Sequence, residues 1–215
     1  MGRPPGRRSA DYDEKRDALA LAMAEAVLAG REVSLAQLAE SADVSVPTLK
    51  HYFGDREGAL EAALAAAASL GAPHLDHLRR ADEQAIRASL IGMLQYVVRG
   101  WSVGGVGELH AEALRHGLRE PTLGPAYLGH VLEPMILAVE ERLVRHAERG
   151  ELTIDDARVA ALALLGPLVL GLLHQRQLGG HRTRPLDEDA FLERLVDGFL
   201  AGYAAPSDSK KKPRR

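Results

Sequence analysis

Cysteine is absent from the 215 residues. That excludes a disulfide scaffold, thiolate catalysis and cysteine-ligated zinc or iron–sulfur centres. Aromatic residues are scarce at 4%, although 46% of the chain is hydrophobic. The apolar bulk therefore comes from Leu, Ala and Val, which favours packed helices over a sheet sandwich rich in Tyr, Trp and Val. Long hydrophobic runs are missing too. The longest uncharged apolar stretch, Val159 to Leu173, is fifteen residues interrupted by Gly166-Pro167, short of the roughly 20 that a spanning helix needs. It is expected to be buried in protein. The opening MGRPPGRRSA is basic but leads into no apolar run, so it does not read as a signal peptide. These absences point to a cytoplasmic chain with no membrane partner, long enough for one large domain or two small ones.

What is present is unevenly distributed. The formal net charge is −3, yet residues 1–8 carry three Arg and no acid, and residues 207–215 carry five bases against one acid. With +3 and +4 at the ends, the stretch between them sums to −10. An acidic body with basic ends suits solvated tails as well as tails that meet a polyanion.

Helix signals are abundant and strand signals poor. Asp11 with Glu14 forms a capping-box pattern, opening an Ala/Leu-rich helix to about Ala29 that Gly30 ends. Ser34 with Gln37 predicts a second start, its helix running to about Ala42. Ser45, with Pro47 inside the first turn, predicts a third. Asp55 predicts a fourth, from Arg56 to about Leu70, before Gly71 and Pro73 interrupt. Further helices are expected near 74–81, 83–99, 106–117, 124–149, 155–179 and 188–204. Leu186, Asp187 and Phe191 fit a hydrophobic staple at the last start. The Gly-rich segments at 100–107 and 179–180 read as connections or breaks.

The stretch from Ser34 to Leu60 is the most informative. Two helices of seven or eight residues are joined only by Asp43 to Ser45, so they must cross steeply, and Ala39 supplies the small side chain where they meet. Asp43 occupies the turn, where a left-handed backbone is expected. Gly suits that position best, but Asp and Asn tolerate it better than most residues. Leu49 and Tyr52 share a face of the second helix, and with Leu38 and Val44 they pack the pair against the first helix. This is the spacing of a helix-turn-helix. Val46, Pro47, Thr48, Lys50 and His51 are left to project outward. Ser45 and Thr48 can donate to phosphate oxygens, Lys50 can neutralise one, and His51 can reach a phosphate or a base edge. Val46 and Pro47 can meet a thymine methyl. Ser34, with the free N–H groups of its helix start, can hold another phosphate. The spacing alone also suits a helical hairpin with an ordinary solvated surface.

Residues 33–60 resemble the N-terminal signature of the TetR family of transcriptional repressors. The resemblance rests on Leu38-Ala39, Val44-Ser45, Thr48-Leu49-Lys50-His51-Tyr52-Phe53, Gly54-Asp55-Arg56-Glu57 and Ala59-Leu60 at fixed spacing, and covers about residues 12–65. It implies an all-α fold in which a three-helix helix-turn-helix head precedes a larger helical ligand-binding and dimerisation domain. The expected boundaries are a basic flexible arm at 1–10, a DNA-binding head at 11–55, an effector-binding and dimerisation domain at 56–205, and a basic disordered tail at 206–215. It also implies a repressor that binds a palindromic double-stranded DNA operator as a homodimer, is released by a small-molecule effector, and uses no cofactor or metal. By the resemblance Ser34, Thr48, His51, Tyr52 and Arg56 face DNA, with Arg56 against the phosphate backbone; Lys50 joins them on its chemistry. Tyr52 also belongs to the packing face. The chain departs from the family pattern at Asp43, where Gly is usual, at Pro47, where Gly or sometimes Pro occurs, and at Lys50, where Tyr is usual. An ammonium in place of a phenol keeps a phosphate contact but alters its salt dependence.

Other motifs lead elsewhere. Gly100-Trp101-Ser102-Val103-Gly104 satisfies the nucleophile-elbow pattern G-x-S-x-G, but the helical period of Ile86 to Arg99 gives it no preceding strand, so no catalytic residue is assigned. A helical hydrolase using Ser102 and a helical adaptor without DNA are the alternatives. His74 with His77, and His110 with Glu112 and His116, fall short of a three-ligand metal set and read as ordinary polar histidines. Met93, Tyr96, Trp101, His110, Tyr127, His130 and Met135 are the large side chains that can line an effector pocket, and each also suits a core. Val159 to Leu173 is apolar all round, so one face needs a partner. With the last helix it gives Leu165, Val169, Leu172, Leu195 and Phe199 as the expected two-fold dimer interface.

Overall fold

The computed structural model describes residues 6–28, 34–81 and 84–205, with side chains from residue 10 onward. Its helices, in chain order, are α1 (Gly6–Leu28), α2 (Leu35–Ser41), α3 (Val46–Phe53), α4 (Arg56–Ser69), α5 (Ala72–Arg79), α6 (Ile86–Val103), α7 (Val106–Arg119), α8 (Leu123–Tyr127), α9 (Glu133–Glu148), α10 (Ala157–Leu172), α11 (Gly180–Thr183) and α12 (Glu188–Tyr203). One-turn π segments, Leu128–Leu132 and Leu173–Gln177, extend α8 and α10. Among the described residues the chain is all-α, with an isolated antiparallel bridge between Leu152 and Ala204. It forms two compact units: Met1–Pro73 with Val103–Pro134, and His74–Ser102 with Met135–Arg215.

The caps expected from the sequence form where local chemistry dictates them. Ser34 and Gln37 close a reciprocal capping box on α2. Ser45, Asp55 and Asp187 accept the first free N–H groups of α3, α4 and α12. The start of α1 differs. The helix already runs at Gly6, so Asp11 lies inside it rather than capping it. The run RRSADYDEK contains no breaker, and nothing in it obliges the helix to begin at the acid. The expected stop at Gly30, the residues 1–5 of the basic arm and the tail 206–215 lie outside the described residues.

In the first unit, Met23 and Val27 of α1, Leu38 and Ala39 of α2, Leu49 of α3 and Leu60 and Leu64 of α4 close one core. Ala59 and Ala63 of α4 are fully buried, and their small side chains let α1 lie close along that helix. Ala113, Leu123, Tyr127 and Val131 join the same core from 103–134. Each fully buried Leu contributes about 1.5–3 kcal/mol.

In the second unit, α6 continues through Gly100 to Val103, beyond the break expected there. Val97, Val98 and Trp101 anchor that last turn by burial, and the Trp101 indole N–H donates to Gln177 Oε1 at 2.9 Å. Buried Arg142 of α9 donates to the carbonyls of His77 (2.8 Å) and Leu78 (2.7 Å), at the end of α5, and to Ser89 Oγ (2.7 Å). A cation thus meets the negative end of a helix.

The apolar helix α10 is covered by its own unit on one face, but that face holds residues expected at the dimer interface. Leu164, Leu165, Leu168 and Leu172 are buried within their own unit, as is Phe199 of α12. Val169 and Leu195 are half-buried. The outer face carries Val159, Leu162 and Leu170, the last 67% exposed. By length and composition Ala157–Gln177 is apolar enough to cross a membrane, and a third of its most apolar 18 residues are buried inside the chain.

Candidate nucleic-acid interface

Helices α2 and α3 are joined by a turn in which Asp43 has φ 51°, the left-handed conformation expected of it. Val44 N–H donates to the Ala39 carbonyl at 2.9 Å, so the chain turns back directly over the small residue at the crossing. Leu38, Ala39 and Leu49 then face the core, and the opposite side of α3 is left outward.

On that side Pro47, Lys50 and His51 are exposed and Thr48 half-exposed. The Ser45 and Thr48 hydroxyls lie 2.8 Å apart, and Ser45 Oγ also accepts the Thr48 N–H at 3.2 Å. Val46 differs from expectation: it is half-buried against the core, which limits what it can offer a base. Ser34 is exposed, but its hydroxyl is engaged by Gln37.

Tyr52 is held from behind. Tyr12 of α1 stacks on it, with centroids 4.7 Å apart and planes inclined by 26°, and meets the His51 ring edge-on at 5.8 Å. The Tyr12 hydroxyl donates to the His51 carbonyl at 3.4 Å. Arg16, one turn later, places its guanidinium 5.4 Å from the Phe53 ring centroid. α1 thus grips the end of α3 with an aromatic and a cation. Sequence reasoning missed Tyr12, although the pair at i and i+4 facing two aromatics was the available signal.

Arg56 is not a free cation. Its Nη1 donates to both carboxylate oxygens of Glu120, each at 2.9 Å. Glu120 in turn is 3.4 Å from His116 Nδ1, whose Nε2 accepts from Arg115 at 3.1 Å. Burial pushes the Glu120 carboxyl up, but the hydrogen bonds and charges of Arg56 and His116 outweigh it, and its pKa is lowered. The neighbouring Glu57 accepts from the Thr122 hydroxyl. Nothing in the sequence marks Glu120, 64 residues from its partner.

The seven pocket candidates divide between the units. His110 and Tyr127 are buried in the first, hydrogen-bonded to each other, while His130 is exposed, 3.9 Å from Glu61. Met93, Trp101 and Met135 are buried in the second, and half-buried Tyr96 hydrogen-bonds His74 and packs on the His77 ring at 4.0 Å. A cavity of about 240 Å³ in the second unit has other walls, among them Val98, Leu168, Leu172, Phe191 and Leu192, with Arg176 at its rim. Ser102 lies in the last turn of α6, a helical position instead of a strand-to-helix elbow. Among the described residues no three His, Asp or Glu side chains converge as a metal set.

Residues 104–205 match the family described as the AefR-like transcriptional repressor C-terminal domain. No curated protein matches the chain. Several solved structures share the fold. One described as a TetR-family transcriptional regulator from Mesorhizobium loti is 19% identical, covers 90% of this chain and 98% of its own, and has a TM-score of 0.71. GusR of Salmonella enterica is 20% identical over 87% of this chain and 96% of its own, with a TM-score of 0.65. A TetR transcriptional regulator from Agrobacterium tumefaciens is 22% identical over 89% and 95%, with a TM-score of 0.63. A helix-turn-helix head and a C-terminal domain of this kind define the class of helical transcription regulators. Residues 104–205 thus resemble the C-terminal domain of such a repressor, and the chain shares the fold of solved TetR-family regulators.

Proposed function

We propose that the chain is a ligand-responsive repressor that binds a palindromic operator in double-stranded DNA as a homodimer and leaves it when a small molecule binds. The observation that carries this reading is the outward face of α3, where Pro47, Lys50 and His51 are exposed and Thr48 half-exposed on a helix fixed from behind by Leu49 and Tyr12. In the major groove Thr48 and Lys50 would meet phosphates, and His51 a phosphate or base edge. Arg56 joins them only after leaving Glu120. Tyr52, pinned by Tyr12, serves mainly to set the angle of α3.

The exposed apolar stripe of Val159, Leu162 and Leu170 supports the dimer, because contiguous apolar surface along one helix calls for a cover, and a second copy supplies the same stripe. The two-fold pair then presents two α3 helices to two half-sites. The effector site we assign to the cavity beside Leu168, Leu172 and Phe191. Its volume suits a molecule below usual drug size. Release requires that the effector bind more tightly to the form whose α3 helices do not fit the operator.

The test is fluorescence anisotropy of the purified chain with duplexes tiling its own upstream region, read at several salt concentrations. Salt-sensitive binding to every duplex, tightest by far at a palindrome, is expected. Binding to no duplex would leave the helical adaptor as the better reading.

A further inference from the structure

The first turn of α4 follows α3 by only Gly54 and Asp55, so whatever α3 docks against lies within reach of Arg56. Both side chains at that turn are already taken by the connection between α7 and α8. Arg56 is bound to Glu120, and Glu57 to Thr122. Arg56 and Glu120 are each misplaced on their own helix. Arg56 is the first residue of α4, where the helix dipole favours an anion, and Glu120 is the C-cap of α7, where it favours a cation. Each therefore gains from the other, and each is held at a distance from its ordinary solvation: their side chains are 29% and 20% exposed.

We infer that Glu120 is a positioning residue for DNA engagement, which occupies Arg56 in the free protein and is exchanged for a backbone phosphate in the operator complex. This rests on the function proposed above. A guanidinium binds carboxylate and phosphate through the same donors, so the exchange is close to balanced for Arg56. The cost falls on Glu120, left at a helix C-terminus with His116 as its remaining partner. Segment 103–134 thereby sets how readily the head gives up its cation. Any ligand that shifts Glu120 changes operator affinity without touching α3.

The test uses Glu120→Gln, which keeps the shape and removes the charge. With the full-length protein and the operator duplex, affinity should rise about three- to tenfold at a slope of log K against log salt near that of wild type, because Arg56 meets the same phosphate in both complexes, while Arg56→Gln alone should flatten the slope by about one unit. In an Arg56→Gln background, Glu120→Gln should change neither quantity. Thermal melts of all three variants establish that they fold. Unchanged affinity in Glu120→Gln would overturn the inference, and so would weaker binding, because the pair would then merely brace α4. A wild-type protein that binds no operator would instead refute the functional reading itself.

Discussion

His110 Nδ1 and the Tyr127 hydroxyl lie 3.0 Å apart in the core of the first unit, where the two rings meet edge-on. Two polar side chains from different helices thus satisfy one another away from water. Tyr127→Phe keeps the packing and deprives His110 of that partner, and a buried polar atom that loses its hydrogen bond costs about 1–3 kcal/mol. Urea unfolding should register a loss of that size. A stability equal to wild type would mean that the bond contributes nothing net.

The same burial governs a pH dependence. Burial lowers the His110 pKa from 6.5 to about 4, and it also lowers those of His116 and His146. Between these values the unfolded chain binds protons that the folded chain refuses, so stability falls as pH falls below about 6.5. The His110 share is about 2 kcal/mol between pH 7 and pH 5. His110→Gln should shrink the drop between those two pH values by about that amount in urea titrations. An identical drop would show that His110 titrates normally.

Asp43 carries a backbone that β-branched residues rarely adopt. Asp43→Val should cost about 1–2 kcal/mol and weaken operator binding by misaligning α2 and α3, whereas Asp43→Gly should be tolerated. Calorimetry and anisotropy on the two variants check this. Equal behaviour of Val and Gly would remove the conformational argument.

Leu170 and Leu172 lie two residues apart on α10 and face opposite ways. Leu170→Glu should fold and sediment as a monomer, while Leu172→Glu, which buries an unpaired charge, should lose about 3 kcal/mol or more. A folded, unaltered dimer of Leu170→Glu would place the interface elsewhere.

That pair also shows where the sequence stops being legible. A helix apolar on every side has no periodicity to reveal which side is core, so Leu165, Leu172 and Phe199 read as interface although they close their own unit. Caps were legible because Ser34, Ser45, Asp55 and Asp187 act on N–H groups three residues away. So was Asp43, whose tight joint leaves the backbone little choice. Gly100 misled because a glycine ends a helix only when neighbours do not hold it, and Trp101 does. The contacts of Arg56 with Glu120 and of Tyr12 with Tyr52 span 64 and 40 residues, and only the folded chain brings them together.

The central claim, that the outward face of α3 engages DNA, is tested most directly at Lys50. Lys50→Ala should weaken binding across specific and unrelated duplexes alike and reduce the salt slope by about one unit. An unchanged slope, with affinity equal to wild type, would contradict the docking of this helix against the phosphate backbone.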